Sequence, residues 1–167
     1  MALTDYMSND EVRVATGLSS LELTDAELAL DVYLDRMTLE ALEVDVPTDI
    51  GSSDLLTEYA TVEGIDESSR TTLQEKFYYY TRLFLIYCVA AEVMTAISLK
   101  APKTESDGKA SKVRFSSEAT FRDAQKNVMS KFSYFKACIE ALPDSPTDIL
   151  PVSLFVVSPE TDVVTNE

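Results

Sequence analysis

Residues Thr72–Leu99 read TLQEKFYYYTRLFLIYCVAAEVMTAISL. The stretch holds no Gly and no Pro, and from Leu83 to Ala91 it is apolar at every position. A helix that is apolar all round is buried on all sides. At about 1.5 Å per residue it would run roughly 42 Å, long for a small domain. The apolar run itself is too short to cross a membrane, and Arg82 and Glu92 bracket it. The expectation is a spine enclosed by other helices, with no membrane contact.

The partner for this spine lies downstream. Over Ser117–Leu142, Phe121, Gln125, Val128, Phe132, Phe135, Ile139 and Leu142 recur at alternating spacings of four and three. That is a heptad-like seam with one polar interruption, the pattern of a helix that packs lengthwise on another. The two long helices are expected to run antiparallel. Between them, Lys100–Ser116 forms a long loop or a small hairpin, with Asp107-Gly108 at its turn and alternation in Lys112-Val113-Arg114-Phe115.

Shorter helices are expected before the spine. Ser8-Asn9-Asp10-Glu11 is a capping box opening a helix over Asn9–Thr16, closed by Gly17. Thr24-Asp25-Ala26-Glu27 is a second capping box. It predicts a helix of about five turns to Glu43, with Ala26, Leu30, Tyr33, Met37 and Ala41 on its buried face and Leu34 widening it. Leu28, Val32, Leu39 and Leu42 add apolar area elsewhere, which predicts neighbours on two sides. Asp54–Val62 reads as a short helix ended by Gly64 and Asp66.

The fold class expected is therefore all-α: a helical bundle over residues 1–142. An extended C-terminal arm follows over residues 143–167, because Pro143, Pro146 and Pro151 stop helix formation. The arm carries one apolar stretch, Val152, Ser153, Leu154, Phe155, Val156 and Val157. This segment is too hydrophobic for a solvated tail and suits docking on a partner.

Charge is unevenly placed. The 167 residues carry a net charge of -15. Residues 1–70 hold 17 acidic side chains against 3 arginines, a net -14, whereas residues 71–142 hold 11 basic against 7 acidic. The acidic balance argues against general binding of nucleic acid or anionic membrane. The basic loop, with Lys103, Lys109, Lys112 and Arg114, has two readings: a solvated turn, or a contact with nucleic acid or the acidic half of another copy.

Chemistry is sparsely provided for. There is no His, which removes Ser/His and Cys/His nucleophiles and most catalytic zinc sites. The four glycines form no phosphate-binding pattern. Asp45, Asp49 and Asp54 lack the spacing of a calcium loop and read as solvated surface. Cys88 and Cys138 sit in helical apolar stretches and read as buried free thiols of a reducing compartment. The N-terminus lacks the apolar core of a secretion signal, so a soluble protein made in a cytoplasm is expected. No enzyme and no cofactor is expected. In the aromatic run, Phe77, Tyr80, Phe84 and Tyr87 share a stripe suited to a core, while Tyr78 and Tyr79 point elsewhere and are candidates for a subunit interface.

The order of parts carries a resemblance. An acidic start reading LTDYMSNDEVRVATGLSS precedes the long helix centred on TRLFLIYCVAAEV. The loop SDGKASKVRF, a second long helix and a tail with SLFVVSPETDVV follow. Together they resemble the head-to-tail adaptor (head completion or connector) proteins of tailed bacteriophages. The resemblance implies a helical subunit, assembled in the host cytoplasm as a dodecameric ring below the portal protein of the virion. Such a ring extends the channel for passing genomic DNA and receives a downstream head-closure or tail protein. It implies that residues 143–167 are the portal-docking arm, and that the acidic half and basic loop supply ring contacts or line the channel. Two alternatives remain beside it: a small DNA-binding or regulatory protein using the basic loop, and an acidic mimic of nucleic acid that inhibits an enzyme.

Overall fold

The structure is a computed structural model that describes residues 2–100 and 118–142. Those residues form six α-helices, two short 3-10 turns and no strand. The helices are α1 (Asn9–Thr16), α2 (Asp25–Leu28), α3 (Asp31–Leu42), α4 (Leu55–Glu63), α5 (Thr72–Lys100) and α6 (Glu118–Glu140).

Local chemistry sets the helix ends. Ser8 caps α1: its hydroxyl accepts the Glu11 N–H, and the Glu11 carboxylate accepts the Ser8 N–H at 2.8 Å. Two unsatisfied donors of a helix start are thereby met reciprocally. Gly17 closes the helix at φ 70°, a conformation that L side chains avoid. Thr24 and Glu27 repeat the capping box at α2. Asp54 caps α4 through both carboxylate oxygens, which accept from the Thr57 N–H and hydroxyl. At the other end of α4, Arg70 supplies donors for its last carbonyls, bonding Val62 and Glu63 as well as Ile65.

α5 is the spine. No side chain from Tyr80 to Met94 is exposed, and α1, α3, α4 and α6 all pack against this helix. Over Thr72–Ile97 it is long and apolar enough to cross a membrane, and here somewhat more than half of that apolar stretch is buried inside the fold. The flanking charges are used in the same way. Arg82 bonds Glu11 of α1 at 2.7 and 3.1 Å, and Glu92 accepts from Arg36 of α3 at 3.1 Å.

α6 lies along α5 by the seam its sequence predicts. Val128, Ile139 and Leu142 are buried, and Phe121, Gln125, Phe132 and Phe135 are half-buried. The Phe132 ring stacks on Phe84 with centroids 5.3 Å apart, and Phe135 stacks on Tyr87 at 5.7 Å. Lys131 donates to the Tyr87 hydroxyl. Farther along, Ala90, Ala91 and Met94 share a cluster with Val128, flanked by Phe121 and Ala124.

The structure corrects the expected five-turn helix after Thr24. It breaks at Ala29–Leu30, where Leu30 takes the extended values φ -68°, ψ 130° that open α3. On one straight helix, Leu28 and Tyr33 would lie about 140° apart around the axis. The break lets both be buried, at the cost of Ala26 and Leu30, which face solvent. Tyr33, Met37 and Ala41 are buried as expected and Leu34 is half-buried. Among the described residues the second expected cover is missing: Val32, Leu39 and Leu42 are 61%, 56% and 64% exposed. The start of the chain brings the opposite surprise. Leu3, Tyr6 and Met7 belong to the main core although their acidic surroundings show no apolar pattern.

Candidate functional site

The aromatic pair singled out for an interface divides. Tyr78 is 8% exposed. Its ring stacks on Tyr59 with centroids 5.3 Å apart and planes 4° from parallel, and the Arg70 guanidinium sits 4.3 Å above it. Its hydroxyl accepts from Arg82 at 3.0 Å. Tyr78 is thus largely buried inside the subunit, held by Tyr59, Arg70 and Arg82. Tyr79 is 44% exposed, with its hydroxyl 3.4 Å from Glu67, and keeps an accessible ring. Lys103, Lys109, Lys112 and Arg114 lie outside the described residues, as do Val152, Leu154, Phe155, Val156 and Val157.

Charged side chains in the N-terminal half mostly hold helices together. Arg13, itself buried, bonds the Leu23 carbonyl at 2.9 Å and pairs with Asp10 and Asp25, tying α1 to the start of α2. Burial would raise the Glu11 carboxyl, but the Ser8 N–H and the Arg82 guanidinium outweigh it, so it sits below its ordinary value. The Thr57 hydroxyl and N–H hold the Asp54 carboxyl low as well. Asp45 and Asp49 are exposed. Among the described residues no group of three or more His, Cys, Asp or Glu is placed to hold a metal ion.

The Glu58 carboxylate accepts the Ser53 N–H at 3.0 Å and fills the space beside Gly51. A Cβ on Gly51 would meet this carboxylate, so a larger residue there must displace Glu58 from the Ser53 N–H.

Two hollows open on this half. One, of about 150 Å³, lies at the α2–α3 break between Leu3, Leu28, Leu30, Leu34, Asn9 and Asp31. The other, of about 260 Å³, is more open and is lined by Tyr6, Ser8, Asp5, Glu11, Glu63 and Arg82. Its basic side chain, Arg82, is already held by Glu11 and Tyr78. In the second hollow the Ser8 hydroxyl donates to the Glu11 carboxylate at 3.0 Å as part of the α1 cap.

Both cysteines are free. Burial pushes the Cys88 thiol up to about 12, with Glu40 and Glu92 adding to the effect. The thiolate is the reactive form, so Cys88 is inert in the folded chain. Alkylation at mildly alkaline pH followed by peptide mass analysis is expected to modify the half-buried Cys138 first. Cys88 is expected to react only in denaturant; equal labelling of both in the native protein would contradict its burial.

What remains outward-facing is a surface rather than a pocket. On α3, Val32, Asp35, Leu39 and Leu42 follow at spacings of three, four and three, and all four are exposed. The sequence placed these apolar members off the buried face of Tyr33, Met37 and Ala41, but led to the expectation that a second neighbour covers them. No protein-family model, curated protein or solved structure matches this chain.

Proposed function

We propose that this chain is a structural head-to-tail adaptor of a tailed phage, a ring-forming subunit that sits under the portal and carries the DNA channel toward the tail. The observation that carries the reading is the exposed apolar face of α3, set in the strongly acidic half of the subunit. An apolar face of this kind on a helical scaffold marks an interaction surface. The resemblance in the order of parts points the same way. In this reading α5 and α6 form an antiparallel pair that gives the subunit its length. The acidic half lets DNA slide past, because affinity for DNA comes mainly from Lys and Arg contacts to phosphate. Residues 143–167 engage the portal through Val152, Leu154, Phe155, Val156 and Val157. Lys103, Lys109, Lys112 and Arg114 contribute ring contacts or channel lining, and Tyr79 lies at a subunit boundary. The far face of the ring receives the next head-closure or tail protein.

The test is particle assembly with a truncated chain. Deleting residues 143–167 is expected to abolish docking on the portal while the helical circular dichroism signal stays. A truncated chain that still docks would remove the arm from the reading, and a full chain that stays monomeric with and without portal would remove the adaptor itself. A salt-dependent DNA shift lost on neutralising Lys109, Lys112 and Arg114 would favour the regulatory alternative instead.

A further inference from the structure

The uncovered face of α3 has a counterpart on the same subunit. Along α6, Lys126, Met129, Ser133 and Ala137 recur at spacings of three, four and four and are all exposed, with Met129 at 43%. The side of α6 opposite this stripe carries the seam buried against α5. Small side chains at Ser133 and Ala137 leave room for a bulky neighbour to approach. Charge separates the two faces. α3 lies in the half with 17 acidic side chains against 3 arginines, and the α6 stripe begins at a lysine.

We infer that the α3 face of one subunit seats on the α6 stripe of a second copy. This rests on the ring reading above and names its contact. The register follows from the spacing. Both faces contain a seven-residue repeat, Asp35 to Leu42 on α3 and Lys126 to Ser133 on α6. Laying the helices parallel, with Asp35 beside Lys126, brings Leu42 level with Ser133 and leaves Leu39 one residue past the level of Met129. Opposite charges then meet at one end, Leu39 packs near Met129, and the small Ser133 leaves room for Leu42; paired charges at the edge of an apolar contact are how helix seams select a partner. An α3-to-α3 pairing would instead bring two acidic halves together. Because the two faces differ and belong to one subunit, the contact is heterologous: each copy offers one face and receives the other, so it closes into a ring or grows into a filament.

The experiment is mass measurement of the full chain by sedimentation over a concentration series, with four variants on exposed positions. Wild type is expected to assemble well above its subunit mass of 18.5 kDa. Leu39→Asp and Lys126→Asp are each expected to shift the population to single subunits with unchanged circular dichroism, and Asp35→Lys to weaken assembly. The double variant Asp35→Lys with Lys126→Asp restores the charge pair at every contact and is expected to assemble again. Wild-type mass for both Leu39→Asp and Lys126→Asp would overturn this contact while leaving the ring reading standing. Loss with Leu39→Asp but not with Lys126→Asp, or no recovery in the double variant, would also overturn it. A wild-type chain that remains a single subunit throughout would overturn the contact and the ring together.

Discussion

Phe84→Ala is expected to cost about 3–5 kcal/mol of folding stability. Phe84 is fully buried at the middle of α5, and its ring stacks on Phe132 of α6. Truncation removes the transfer free energy of the ring and leaves a cavity that helices on all sides hold open. It also ends a ring pair worth about 0.5–1.5 kcal/mol beyond its buried area. Total stabilities of domains are about 5–15 kcal/mol, so the loss is a large share. Chemical unfolding followed by circular dichroism measures it. Phe84→Leu, which refills much of the volume, is expected to lose clearly less. Equal losses, or a loss under about 1 kcal/mol, would mean that α5 is not closed at this position.

Glu11→Ala is expected to lose about 2 kcal/mol at neutral pH. The side chain does two things at once. It completes the capping box by accepting the Ser8 N–H, and it accepts two bonds from Arg82, so it ties the start of α1 to the spine. The figure stays below that of a fully buried pair because Arg82 keeps 38% of its side chain exposed and solvent screens it. Glu11→Gln keeps the cap and removes the charge, and should fall between wild type and alanine. Acid separates the two contributions further. The folded Glu11 carboxyl lies below its ordinary value, so its stabilisation is complete above the unfolded value of about 4.3. It is lost as pH falls through the folded value. The stability gap between wild type and Glu11→Gln should therefore be full at pH 7 and shrink in acid. A gap that stays constant across this range would show that the Arg82 contact adds nothing through charge.

These two residues also mark the boundary between what sequence and structure each decided. Phe84 could be assigned to the core from sequence because an all-apolar helical run leaves no side free for water. The α6 seam followed from its heptad spacing, and helix starts at Ser8 and Thr24 followed from capping chemistry that needs only three or four neighbouring residues. The excess of acid before residue 70 was equally plain. These are local or periodic properties, which a one-dimensional string carries in full.

Glu11–Arg82 was not legible, because the partners are 71 positions apart and only the packing of α1 on α5 brings them together. The break at Leu30 was hidden for a related reason. Local propensity favours a continuous helix there, and burial of both Leu28 and Tyr33 overrides it only when the core exists. Tyr78 looked available because its helical angle departs from the core stripe. In three dimensions Tyr59 and Arg70 reach around α5 to cover it. Likewise the sequence marked Val32, Leu39 and Leu42 as apolar, but not as exposed. α3 has more apolar surface than one neighbour can cover, and the tertiary structure decided which part stays open, since a helix of this size can turn only one face to the spine.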